Sequence, residues 1–175
     1  MRWLIALATL LAPTAAGAEV VAASANGFEV RHSVAIVIPP SATFDAFTQV
    51  ARWWNAAHTY SGKSSNLSLS LNPGGCFCEA LPKGGGIEHL RVAYVDPGER
   101  LVLTGALGPL LFQAATGVMD VKVERIAGGS RLTLDYKVAG FANGGADKLA
   151  PVVDRVLGDQ IARFRKYAAA MPKTR

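Results

Sequence analysis

The sequence predicts an α+β domain in which a single antiparallel sheet is covered by one long C-terminal helix, and three observations carry that prediction. Residues 28–38 alternate with a period of two. From Leu67 to Val138, short strand-like segments are separated by joints rich in glycine, proline and aspartate. Over residues 147–170 the period changes to that of a helix with one apolar stripe.

Ahead of the domain, MRWLIALATLLAPTAAGAEV places Arg2 before a short apolar run, a breaker at Pro13, and small residues ending at Ala18. That order is the one of a secretory signal with cleavage after Ala18, and the run is shorter than the roughly 18 residues of a membrane span. The expected location is therefore periplasmic or secreted, with no stable membrane anchor after cleavage. Removing 18 of the 175 residues leaves 157, one domain of ordinary size. Residues 19–26 are expected to form a flexible lead, 27–171 the domain, and 172–175 a basic tail. The formal charge of +5 is scattered, apart from Arg163, Arg165, Lys166, Lys173 and Arg175 near the C-terminus. We read that cluster as a solvated helix face, so no nucleic-acid partner is expected.

In the first strand Phe28, Val30, His32, Val34, Ile36 and Ile38 share one phase, with Glu29, Arg31 and Ser33 in the other. Pro39-Pro40 ends it, and Ser41 is a plausible N-cap for a short helix carrying Phe44, Phe47 and Val50. A loop rich in aromatics follows. Strands are then expected over 67–71, 76–81, 87–95, 101–104, 112–125 and 131–138. The final helix aligns Leu149, Val153, Val156, Leu157, Phe164 and Ala168, with Asp154, Arg155, Asp159, Arg165 and Lys166 opposite, and Pro151 is tolerated in its first turn. It is the only long element able to cover the apolar face of the sheet.

This order, with the double tryptophan Trp53-Trp54, the strand start Pro73-Gly74-Gly75, VDPGERLVLTG over 95–105 and GGSRLTLDYKV before the helix, resembles the SRPBCC superfamily, in particular its polyketide cyclase and heat-shock-protein ATPase activator branch. The resemblance implies a helix-grip, START-like fold, a curved sheet wrapped around the C-terminal helix with an apolar cavity between them. A fold hosts many activities, and an exported chain would not meet a cytosolic chaperone.

The candidate site residues follow from phase. Gln160 falls inside the helix stripe, where it bonds a strand backbone or points into a cavity, and Phe164 lies beside it. His32, Glu88, Tyr94 and Tyr136 share the phases of apolar neighbours. An inward Glu88 without a partner would have its pKa raised by desolvation, which makes Glu88, His32 and His58 the candidates for acid–base catalysis. The alternatives are a wet Glu88 at a strand mouth and a satisfied core histidine at 32. Trp53, His58 and Tyr60 are candidates for a cavity rim, while Trp54 is read as structural. No Ser-His-Asp order, phosphate loop, zinc-protease helix or dinucleotide fingerprint is present, so no cofactor is called for and enzyme status has no motif behind it.

The two cysteines, Cys76 and Cys78, point the same way on a regular strand, so a bridge between them would require a bulge or kink. The hairpin they begin can pair in two registers. In one, Cys78 opposes His89 and Cys76 opposes Arg91; in the other, Cys78 opposes Leu90, Cys76 opposes Val92 and Glu79 opposes His89. The first permits a metal set of Cys76, Cys78, His58 and His89, although Cys-x-Cys is not the usual chelating spacing. The second makes Cys76 and Cys78 two buried thiols on the cavity face, and it is the reading adopted.

The expected function is the binding of a small apolar or aromatic molecule by Trp53, His58, Tyr60, Cys76, Cys78, Tyr94, Tyr136, Gln160 and Phe164, in a monomer. The alternative is a cofactor-independent cyclase, isomerase or hydrolase using the same cavity.

Overall fold

The computed structural model describes residues 18–171, so the expected signal segment, Ala18 apart, and the expected basic tail lie outside the described residues. Eight strands run β1 (Ala18–Ser24), β2 (Gly27–Ile36), β3 (Leu67–Leu69), β4 (Cys76–Ala80), β5 (Gly86–Asp96), β6 (Arg100–Gly105), β7 (Ala114–Ile126) and β8 (Gly129–Phe141). They form one antiparallel sheet in the order β1-β2-β8-β7-β6-β5-β4-β3. Helices α1 (Pro40–Thr48) and α2 (Val50–Trp53) follow β2, and α3 (Ala150–Ala169) ends the domain. This is the curved antiparallel sheet with a long C-terminal helix of the helix-grip fold.

Several boundaries differ from expectation: the strand expected over 67–71 stops at Leu69, the one expected from 112 starts at Ala114, and two further differences have a clear physical reason. Residues 19–26 are not a flexible lead but supply most of β1, pairing Glu19 with Arg31 and Val20 with Val30. The backbone groups on that edge of β2 thereby find partners that alternation in the sequence does not reveal. Helix α1 begins at Pro40 rather than after Ser41, because proline in the first turn has its φ preset and loses no hydrogen bond there.

Strand β2 is read correctly from its alternation, with Phe28, Val30, His32, Val34 and Ile36 all buried. Helix α1 is tied to the start of β8 by a polar relay. Ser130 Oγ donates to the Ile38 carbonyl at 3.0 Å, so Thr43 Oγ1 is the donor in its 2.6 Å bond to Ser130 Oγ. Both hydroxyls are buried. Ser130→Ala is expected to cost about 1–3 kcal/mol in urea unfolding, since it leaves the Thr43 hydroxyl and the Ile38 carbonyl unpaired.

Helix α3 buries Leu157, Gln160, Ile161, Phe164 and Ala168 toward the sheet and toward α1 and α2. Phe164 meets Phe47 and Trp53 with ring centroids 5.4 Å away in both cases. Gly158 lets the helix lie close to β2, since a Cβ there would stand 3.3 Å from His32 Cε1.

Candidate functional site

The apolar stripe of α3 is sealed over its second half and open over its first. Val152, Val153 and Val156, together with Leu149 just ahead of the helix, border a cavity of about 340 Å³. Trp54, His58 and Tyr60 from the loop after α2, His89 of β5, Tyr136 of β8 and the turn over 107–110 complete much of the wall. The lining is mainly apolar, and its polar groups include two imidazoles and the Tyr136 hydroxyl.

His89 reaches this wall through a β-bulge. Phe77 pairs with Leu90 and Cys78 with Glu88, which leaves His89 as the extra residue of β5. Both His89 and Leu90 therefore turn inward, and Glu88 turns out. His89 is 4 % exposed, and its Nε2 stands 3.0 Å from Oε2 of Glu79, which is 1 % exposed. The Glu79 carboxylate also accepts the Tyr60 N–H at 3.1 Å and the Ser61 N–H at 2.5 Å. Burial alone would raise the Glu79 pKa, but the hydrogen bonds from Ser61, Tyr60 and His89 outweigh it and hold it below the ordinary carboxylate value. The carboxylate has only lone pairs to offer, so His89 Nε2 is the donor in this bond. Its Nδ1 is buried and has no hydrogen-bond partner among the described residues.

His58 is oriented by a second network. The Asn55 N–H donates to Gln160 Oε1 at 2.8 Å, which fixes the amide so that Gln160 Nε2 donates to His58 Nδ1 at 2.7 Å. His58 thus carries its proton on Nε2 as well. Asn55 is itself anchored by donating from Nδ2 to Asp159 at 2.6 Å.

Tyr136 is committed to the frame. Its hydroxyl accepts the Leu107 N–H at 3.0 Å and donates to the Gly105 carbonyl at 3.3 Å, fastening the 107–110 turn over the cavity. Burial pushes its pKa up to about 12, so it stays a phenol at neutral pH. Gly117 makes room for the ring, because a Cβ there would fall 2.7 Å from Tyr136 Cε2.

The other anticipated residues lie elsewhere. Glu88 is not inward; it is exposed and paired with Arg91. His32 is buried under α3 with Nε2 3.0 Å from Asp154 Oδ1, away from the cavity wall, and desolvation lowers its pKa against the pull of Asp154. Tyr94 is on the outer side, half exposed beside Arg100. Trp53, Gln160 and Phe164 are buried in the core, Trp53 donating from Nε1 to the Phe47 carbonyl at 3.0 Å. Trp54, read as structural, is buried as expected and also lines the cavity.

The cysteine reading is corrected outright. Cys76 and Cys78 form a disulfide, and they share the outward phase of Glu88 and Arg91 rather than facing the cavity. Their Cα atoms are 5.3 Å apart, closer than two residues of a straight strand at roughly 3.3 Å per residue. This is the local kink that such a bridge requires, and it sits opposite the His89 bulge. The metal set of Cys76, Cys78, His58 and His89 is broken up, since the sulfurs bond each other on one face and both imidazoles serve the other.

No family model matches the chain, and no curated protein matches it in sequence. Solved structures do match in shape. An uncharacterised protein from Rhizobium leguminosarum superposes with a TM-score of 0.60 at 17% identity, over 90% of this chain and all of its own. DynU16, from the dynemicin biosynthetic locus, gives 0.57 at 19% identity, over 81% of this chain and 47% of its own. BexL, a di-domain ARO/CYC protein of the BE-7585A biosynthetic pathway, gives 0.57 at 15% identity, over 87% of this chain and 52% of its own. At these identities the likeness is one of architecture, and the chain has the helix-grip fold of these proteins.

Proposed function

We propose that this chain is an exported, monomeric member of the SRPBCC superfamily that holds a small apolar or aromatic molecule between its sheet and the first turns of α3. The carrying observation is the cavity of about 340 Å³ whose wall is mainly apolar with a few oriented polar groups, which is the usual make-up of a small-molecule site. The fold is shared with DynU16, from the dynemicin biosynthetic locus, and with BexL, an ARO/CYC protein of a biosynthetic pathway, which is in keeping with a small-molecule site. Export is supported by the order of charge, apolar run and small residues at the N-terminus and by the Cys76–Cys78 bridge, a bond that persists in oxidising spaces.

A fluorescent apolar dye, 1-anilinonaphthalene-8-sulfonate, is expected to bind with enhanced emission. Val153→Trp, which fills the cavity from α3, is expected to weaken that binding by roughly tenfold or more, the equivalent of about 1.4 kcal/mol. Native mass spectrometry of protein from its own source is expected to find a co-purified small molecule. A dye that ignores Val153→Trp, together with a protein that carries nothing, refutes the reading.

The second reading, acid–base catalysis in the same cavity, is favoured by one observation. A buried carboxylate orients a cavity-lining histidine whose other ring nitrogen has no hydrogen-bond partner among the described residues. On this reading the candidate base is His89, with Glu79 behind it, in place of Glu88 or His32.

A further inference from the structure

The Cys76–Cys78 bridge is not accounted for by stability. A disulfide stabilises chiefly by closing a long loop of the unfolded chain, and this one closes round a single residue, Phe77. A domain of this size builds its core without such staples. The bridge also takes no part in the cavity, since both cysteines are half-buried on the opposite face of β4.

Its surroundings are those of a bond that can be opened in the folded protein. Phe77, between the two cysteines, is 4 % exposed and packs against Trp54 and His89 with ring centroids 5.4 and 5.3 Å away. Glu79, the next inward residue, is held by Tyr60, Ser61 and His89. Strand β4 is therefore anchored from its inner face whether or not the sulfurs are joined. On the outer face its neighbours toward the sheet edge are small: Ser68 of the three-residue β3 opposes Cys78, and Gly74-Gly75 leads into Cys76. The chain has no other cysteine, so an opened pair can reclose only on itself.

The charges beside the two sulfurs are unequal. Arg91 opposes Cys76 and Glu88 opposes Cys78 on the neighbouring strand. Directly opposed side chains of an antiparallel pair share a face, with their Cβ atoms about 5 Å apart. Arg91 is fixed in that place, its Nη1 donating to the Gly74 carbonyl at 2.8 Å and its Nε to Glu88 at 3.1 Å. Negative charge is thus favoured on Cys76, beside the cation, over Cys78, beside the carboxylate.

We propose that Cys76–Cys78 is a thiol–disulfide exchange site that takes two electrons from a dithiol of another protein, with Cys76 leaving as a thiolate beside Arg91. One thiolate of the dithiol attacks Sγ of Cys78, the S–S bond breaks, and its electron pair goes to Sγ of Cys76. The second thiolate of the dithiol then attacks its own partner sulfur in the mixed disulfide and releases Cys78. The dithiol ends as a disulfide, and its two protons end on Cys76 and Cys78. Nothing else is consumed. Exchange is faster when the departing sulfur bears negative charge more readily, and Arg91 is the group that arranges this.

Dithiothreitol is the probe, acting on the mature chain at neutral pH without urea, with free thiols counted by maleimide mass-tagging and the fold followed by circular dichroism. The bridge is expected to open while the spectrum stays unchanged. Arg91→Gln is expected to slow the opening roughly threefold or more, and Glu88→Gln to hasten it, so that the two neutralising variants move the rate in opposite directions. Brief treatment with glutathione followed by iodoacetamide is expected, on peptide mapping, to place glutathione on Cys78 and the alkylated thiol on Cys76. A bridge that opens only in urea, a rate indifferent to both charges, or glutathione found on Cys76 overturns the proposal.

Discussion

Glu79→Ala is expected to lower stability by about 3–5 kcal/mol, the cost of removing one member of a buried, hydrogen-bonded polar pair. The substitution strands three donors at once, the N–H groups of Tyr60 and Ser61 and Nε2–H of His89, and it frees the loop that carries the cavity rim. Urea unfolding at neutral pH measures the loss, and a variant with the parental midpoint would show that the carboxylate is not what anchors the loop. The effect has a definite pH signature. The folded-state pKa of Glu79 lies below the unfolded value of about 4.3, so its contribution is complete above that value and is lost as pH falls through the depressed folded one. The alanine variant should show a correspondingly shallower acid limb in its stability profile.

Phe164→Ala is expected to cost a similar 3–5 kcal/mol, for a different reason. The ring is fully buried and stands edge-on to Phe47 and Trp53, so its removal opens a void where α3 is closed against α1 and α2. Val152, on the open half of the same helix, is half exposed, and Val152→Ala is expected to change stability by only a few tenths of a kcal/mol. Comparing the two by urea unfolding tests whether the helix is divided as described. Equal losses at 152 and 164 would mean that the first turns of α3 are packed as tightly as the rest.

Much of this architecture is legible in the residues, and the failures have one main source. The alternation of β2 places His32 inside correctly, and the stripe of α3 places Leu157, Gln160 and Phe164 toward the sheet. The β4-β5 hairpin defeats the same method, because a bulge inserts one residue and reverses the alternation beyond it. Each proposed register is therefore wrong over at least part of the ladder. Cys76 does oppose Arg91, as in the first, but Cys78 opposes Glu88, as in neither. Glu88 and Glu79 exchange places for this reason, and so do the cysteines and His89. The sequence does carry a trace of the irregularity, since two cysteines one residue apart can close a bridge only where the strand is kinked. Asp154 and Asp159, assigned to the wet side of the helix, instead flank the stripe and touch His32 and Asn55, because side chains at the border of a helical face can lean either way.

The half-open stripe of α3 also bears on how the protein behaves when it is handled. A guest lodged against Val153 and Val156 completes the hydrophobic interior, so occupancy and thermal endurance are thermodynamically linked. At free guest concentrations a hundredfold above the dissociation constant, the folded form gains about 2.7 kcal/mol. On the proposed reading, preparations stripped by dialysis or detergent would accordingly melt earlier than those freshly isolated, and a spread of melting temperatures between batches would report cargo rather than damage.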